Sequence, residues 1–197
     1  MLHMLLAGGW MMVPIVLCSV LGVAIVFERL LYFRGIGKTN EADHMIALSE
    51  EGKFTDALAL AEQQSLPLLR VLAAGIMKRG ETPEKAMEAT GLAELALMKR
   101  GLTVLDTIIT LGPLLGLLGT IVGMIDSFGI MAESGLGQPH AVTGGVAEAL
   151  ICTAAGIFVA VTTLIPYNYL QAKVERETAR IEQYATRLES AFSAKRQ

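Results

Sequence analysis

Three stretches of this chain are apolar over lengths that match the thickness of a lipid bilayer. They run from Trp10 to Phe27, from roughly Leu102 to Ile125, and from roughly Val142 to Tyr169. A helix needs about 20 predominantly apolar residues to cross a hydrocarbon core about 30 Å thick. The stretches therefore predict an all-α membrane protein with three transmembrane helices. Composition agrees, since 53% of residues are hydrophobic and the mean hydropathy of +0.52 exceeds what a soluble globule of this size needs. The opening MLHMLLAGGW has no basic segment, and no small-residue cleavage motif follows the first apolar run. That stretch reads as an uncleaved anchor rather than a signal peptide.

Charge then orients the chain. All 16 Lys and Arg residues fall in two blocks, from Arg29 to Arg100 and from Lys173 to Arg196. Basic residues near membrane ends stay on the cytoplasmic side, so three crossings have one consistent solution. The expected division is an N-terminal outer segment with the first transmembrane helix at 1–33 and a cytoplasmic helical region at 34–101. The second transmembrane helix follows at 102–126, an outer, periplasmic loop at 127–141, the third transmembrane helix at 142–169, and a cytoplasmic helical tail at 170–197. The N-terminus is expected outside, which in a Gram-negative cell is the periplasm, and the C-terminus in the cytoplasm. Trp10, Tyr32 and Phe33 sit at the ends of the first stretch, where amphipathic rings favour the interface.

Between the first two spans, EEGKFTDALALAEQQ places Phe54, Ala57, Leu58 and Ala61 on one face of a short helix. Thr82, Pro83 and Glu84 make a helix start, with Thr as N-cap, Pro at the first helical position and an acid in the first turn. A helical pattern continues from there into the second span, and the tail likewise extends the third, so a cytoplasmic helical bundle is expected. Its interleaved charges read as solvated faces. His44 has no Cys, Ser or acid cluster at a useful spacing, and no catalytic constellation is visible. Cys18 and Cys152 lie in apolar runs without metal-ligand or disulfide spacing and read as small hydrophobes. No enzyme, metal or cofactor is expected, and no dense basic block invites nucleic acid.

The second and third spans are rich in small residues. Gly112, Gly116, Gly119, Thr120 and Gly123 recur at spacings of three and four, as do Gly145, Ala149, Cys152, Gly156, Ala160 and Thr163. Such stripes let helices approach closely in lipid, where packing drives association, so these helices pack on each other or on other subunits. Pro113 frees a carbonyl one turn back and predicts a kink. Within GGVAEALICTAAG, Glu148 lies about 9 Å below the start of the third span at roughly 1.5 Å per residue. No Lys or Arg occurs between Gly101 and Ala172 to neutralise it. A charge at that depth is expensive, so it faces a bundle interior, a partner or a water-filled cavity. Burial penalises the ionised form of a carboxyl group, which makes a proton carrier of an acid in this setting. Thr120, Thr153, Thr162 and Thr163 supply hydroxyls that pass or hold a proton or a water without locking a carboxylate. The bland alternative is a protonated Glu148 that only holds helices together, in a passive membrane scaffold that anchors a partner. Asp106 and Asp126 lie near the ends of the second span as hydrated interfacial acids, with Asp126 also a candidate outer entrance to a proton pathway.

Taken together, GLLGTIVGMIDSF, GGVAEALICTAAG, the pair Tyr167 and Asn168, and the ERL of Glu28 to Leu30 resemble the ExbB/TolQ/MotA proton-channel family, on its ExbB/TolQ branch. The resemblance extends over the whole chain in topology. It implies a homopentameric ring around the single transmembrane helices of an ExbD- or TolR-like partner, whose movement is driven by proton motive force. A TonB-like protein is a further candidate partner, and a TonB- or Tol-like envelope process the work being energised. Thr120 matches the threonine of the family's second-span motif, Glu148 its third-span acid, and Thr153 the threonine that follows it. Gly112, Gly116, Gly119, Gly123, Gly145 and Gly156 remain candidates for helix packing. Flagellar stators of the family lack a glutamate at this position and have a larger cytoplasmic part, which argues against that branch.

Overall fold

The computed structural model describes residues 9–36, 40–63, 66–134 and 139–194, with side chains described outside 133–142 and 194. Seven helices and no strand occur among the described residues: α1 (Met12–Arg34), α2 (Asn40–Glu51), α3 (Phe54–Gln63), α4 (Pro67–Met77), α5 (Pro83–Lys99), α6 (Leu102–Ser134) and α7 (Pro139–Ala194). The all-α fold class stands, with three helices long and apolar enough to cross a membrane among the described residues. The chain divides into two compact units. One comprises Met1–Arg29 with Gly101–Tyr169, the other Leu30–Arg100 with Leu170–Gln197.

The first unit contains the three apolar helical segments. α1 starts one turn after Gly9, with the Met12 N–H donating to the Gly9 carbonyl at 3.1 Å and the Val13 N–H to the Trp10 carbonyl at 3.1 Å. Pro14 falls in its first turn, where a missing N–H breaks no helical hydrogen bond. A small core joins Met11, just ahead of α1, and Met12 and Ile15 of α1 to Ile108 of α6 and to Cys152 and Val159 of α7. Outside that core, Val13, Leu17, Val20, Leu21, Leu114, Leu117, Ile121, Leu150, Phe158 and Val161 are exposed. Apolar side chains exposed over this much helix surface suit lipid rather than water. α6 runs through Pro113 as one helix. α7 does the same at Pro166.

Two boundaries differ from the sequence reading. The helical pattern that leads from Thr82 into the second span is interrupted once, because α5 ends at Lys99 and α6 begins at Leu102, the residue where the second span was expected to start. Gly101 adopts φ +80. A left-handed residue breaks the helical hydrogen-bond ladder, and only glycine adopts that conformation cheaply. A β-carbon there would also lie 2.9 Å from Ile25 Cγ2. Thr82 occupies the N-cap position of α5, yet its side chain makes no capping hydrogen bond. At the other end, α6 continues to Ser134 and α7 begins at Pro139, so most of the segment expected as an outer loop at 127–141 is helical. Its middle, 135–138, and residues 1–8 of the expected outer segment lie outside the described residues.

The second unit is built from α2 to α5 and the tail of α7. α4 buries Leu68, Leu69, Val71, Leu72 and Ile76. It begins with Pro67 at its first helical position, after Leu66 in an extended conformation. A β-carbon at Gly75 would lie 2.6 Å from Met87 Sδ, so the absence of a side chain there lets α5 pack closely. The tail is tied to α2 through Asp43. Arg187 Nη1 donates to Asp43 Oδ1 at 2.8 Å and the Tyr184 hydroxyl to Oδ2 at 3.0 Å. The Arg187 guanidinium holds the Asp43 carboxyl below the usual carboxylate range. Burial, together with the bond to Asp43, raises the Tyr184 phenol. Glu94 is buried and reaches Arg70 at 3.2 Å, closing α4 onto α5.

Candidate functional site

α6 and α7 cross at close range, and glycine makes this possible. A β-carbon on Gly112 would lie 2.8 Å from the Gly156 carbonyl oxygen, one on Gly116 2.9 Å from Thr153 Cα, and one on Gly123 3.0 Å from Ala149 Cβ. At Gly156 it would overlap the Gly112 carbonyl oxygen, at Gly119 the Cys152 sulfur, and at Gly145 the Ser127 hydroxyl. The two small-residue stripes thus face one another along an antiparallel pair, in which Gly112 meets Gly156 and Gly123 meets Gly145. Backbones this close leave room for hydrogen bonds across the seam. Thr153 Oγ1 donates to the Gly116 carbonyl at 2.8 Å, some 37 residues away in sequence. α1 lies against the same pair, and a β-carbon on Gly22 would sit 3.4 Å from Thr163 Oγ1 and 3.7 Å from Ile108 Cδ1.

The other hydroxyls are spent locally. Thr120 Oγ1 donates to the Leu117 carbonyl at 2.6 Å. Thr163 donates to the Val159 carbonyl at 2.8 Å, and Thr162 to that of Phe158 at 2.8 Å. A threonine that has donated its proton keeps lone pairs on oxygen, so each can still accept from a water. Ser127 donates to the Gly123 carbonyl at 2.7 Å. Its hydroxyl also fills the space beside Gly145. Ser127 was not singled out in the sequence, where one serine next to an interfacial acid carries no periodic signal.

Glu148 stands apart from the threonines. It is an exposed residue, whereas its neighbour Ala149 is buried in the seam. Its carboxyl lies against Gly9, just before α1. Among the described residues no Lys or Arg forms an ion pair with it, and no hydrogen bond joins it to Thr120 or Thr153. Asp126 is exposed on α6, beside the buried Ser127. The fold thus places Thr153 inside the helix seam, Thr120 at its half-buried edge, and Glu148 and Asp126 on open surface. Gly9 was the other residue missed by sequence reading, although the pair Gly8 and Gly9 ahead of Trp10 signals a turn. No group of three or more His, Cys, Asp or Glu placed to hold a metal ion occurs among the described residues.

Residues 63–183, from the end of α3 through most of α7, match the family described as the MotA/TolQ/ExbB proton channel family. The chain belongs to that family. It is 34% identical to the ExbB-like 3 protein of Synechocystis, over 95% of this chain and 92% of that protein. It is 30% identical to an ExbB homologue of Methanothermobacter thermautotrophicus, over 92% of this chain and 66% of that protein. With the biopolymer transport protein exbB1 of Vibrio cholerae it shares 29% identity, over 88% of this chain and 80% of that protein. Membership in the MotA/TolQ/ExbB family makes this a multi-pass membrane protein of a channel family rather than of an enzyme family. The family match includes all of α6 and every candidate residue on α7.

Proposed function

We propose that this chain is the proton-channel subunit of an inner-membrane motor, in which proton motive force energises a TonB- or Tol-like envelope process. The observation that carries the reading is Glu148. It is an acid on the third apolar helix, on open surface, without a cation beside it among the described residues. A carboxyl group so placed is complementary to something outside the chain: a neighbouring copy, or the transmembrane helix of an ExbD- or TolR-like partner. A closed ring of copies, a pentamer by family resemblance, would put Glu148 of each copy at a subunit boundary. The N-terminus is then periplasmic and the C-terminus cytoplasmic, as the positive-inside bias requires.

In this mechanism a proton arrives from the positive outer side, with Asp126 at the entrance, and neutralises a carboxyl at the boundary. The neutral group moves through apolar surroundings at far lower cost than the charged one. Thr120 and Thr153 hold water or accept a proton's hydrogen bond along the way. Release on the inner side restores the charge. The membrane potential supplies about 2.3 kcal/mol per charge for each 100 mV, which biases such a step without making it irreversible. Useful work therefore requires that proton passage be coupled to movement of the partner. Gly112, Gly116, Gly119, Gly123, Gly145 and Gly156 hold the α6–α7 pair together as the stationary wall.

The test is Glu148→Gln, which keeps shape and removes the titrating proton. Membrane insertion and partner capture should persist, while energised function and proton flux in vesicles are lost. Normal energised function in that variant would return the chain to the passive-scaffold reading. Thr153 gives that reading its one specific support, since its hydroxyl already serves helix packing.

A further inference from the structure

Gly9 combines two features at one position. Its backbone is left-handed, with φ +67. The space where its β-carbon would be is also occupied by the Glu148 carboxyl, with Oε1 in the overlap, Cδ at 3.3 Å and Cγ at 3.8 Å. The left-handed turn alone would select glycine, asparagine or aspartate. Any side chain added there would also have to displace that carboxyl, which sits at the far end of a flexible side chain. The turn is anchored to α1 by the Met12 N–H bond to the Gly9 carbonyl, and Met11 and Met12 are buried in the core that joins α1 to α7. The backbone around Gly9 is thus held by α1 while the carboxyl rests on it from α7.

We propose that Gly9 is a positioning residue for Glu148: the opening turn of α1 forms a seat that holds the carboxyl against one side and leaves its other side open. This rests on the reading of Glu148 as the proton-carrying acid. It assigns a task to the turn at Gly9, just ahead of α1. With the carboxyl seated, a proton donor or a partner's side chain reaches it from the open side alone. Shifting the start of α1 would release it.

The seat can be read without measuring proton flux. Dicyclohexylcarbodiimide is an apolar reagent that adds covalently to carboxyl groups reachable from the membrane. Its rate of attachment to Glu148 is followed by peptide mass spectrometry on the full chain in native membranes. Gly9→Ala pushes the carboxyl off its seat toward the open side and should raise that rate several-fold. In a Glu148→Asp background the carboxyl is one methylene shorter and clears the added methyl, so Gly9→Ala should leave the rate unchanged. An unchanged rate in the glutamate background overturns the proposal. Equal changes in both backgrounds also overturn it, because they would report only a damaged turn. If the proton-carrier reading is what fails, Glu148→Gln retains energised function while Gly9→Ala still alters labelling.

Discussion

Replacing Gly156 by alanine places a methyl group where the Gly112 carbonyl oxygen now lies, and 3.1 Å from both Cα and N of Gly116. All three neighbours are backbone atoms of α6, so no side chain can turn aside. Carbon to oxygen contacts settle at about 3.3–3.6 Å, which requires the helices to part by roughly 1 Å. The Thr153 bond to the Gly116 carbonyl, now 2.8 Å, would then exceed hydrogen-bonding range. Losing an interhelical hydrogen bond in a membrane costs about 0.6 kcal/mol on average. Forcing extra volume into a packed seam costs about 1–3 kcal/mol, and the higher helix propensity of alanine returns up to about 1 kcal/mol. The expected net loss is about 1–2 kcal/mol, a roughly 5- to 30-fold shift toward unfolded chain. Gly129→Ala is the control, because nothing lies within 4 Å of a β-carbon there. That change should be neutral or stabilising by up to about 1 kcal/mol. Reversible unfolding in mixed micelles with rising dodecyl sulfate, followed by helicity and by the single tryptophan, Trp10, measures both. A Gly156→Ala protein as stable as Gly129→Ala would refute the account of the seam.

Thr153→Val removes the donor to the Gly116 carbonyl and should cost about 0.6 kcal/mol in the same unfolding assay, while Thr153→Ser should retain most of that stability. If Thr153 also serves the proton pathway, the serine variant conducts and the valine variant does not. In the second unit, Arg187→Ala releases Asp43. The pair is half exposed, at 47% and 50% of the two side chains, so less than about 1 kcal/mol is expected in hydrogen exchange of α2. Its pH dependence has a definite sign. A depressed carboxylate contributes fully above its ordinary value near about 4 and loses that contribution as pH falls through its lower folded value. The raised Tyr184 phenol contributes below its ordinary value near about 10 and loses it as pH rises further. Protection of α2 should therefore be flat from about pH 5 to pH 9 and weaken on either side. A midpoint near neutrality would contradict the assignment.

How legible the molecule was varied with the range of the interaction. The three spans, the α3 helix from Phe54 and the glycine stripes of α6 and α7 were visible because each is a periodic pattern within one segment. The acid at Glu148 was visible because it breaks such a pattern. The interruption at Gly101 was not, since a single glycine inside a helical pattern is usually tolerated. The non-capping Thr82 was invisible for a related reason: residue type marks the position of a cap, while the bond itself depends on a rotamer. Ser127 against Gly145, and Gly9 against Glu148, join residues remote in sequence, and neither has a local pattern to announce it.

Apolar length by itself assigns this chain to a membrane, and the placement of charge sets which ends are expected on the same side, because transfer of charge into lipid dominates every other local term. Small residues at spacings of three and four likewise specify that two helices approach closely. Only the tertiary structure decided which hydroxyls the seam uses. It turned Thr153 inward to a carbonyl of the opposite helix, satisfied Thr120 within its own turn, and left Glu148 on an open face with its carboxyl on Gly9. Those choices depend on the rotation of each helix about its axis, which is set by contacts of sub-ångström tolerance between segments far apart in the chain.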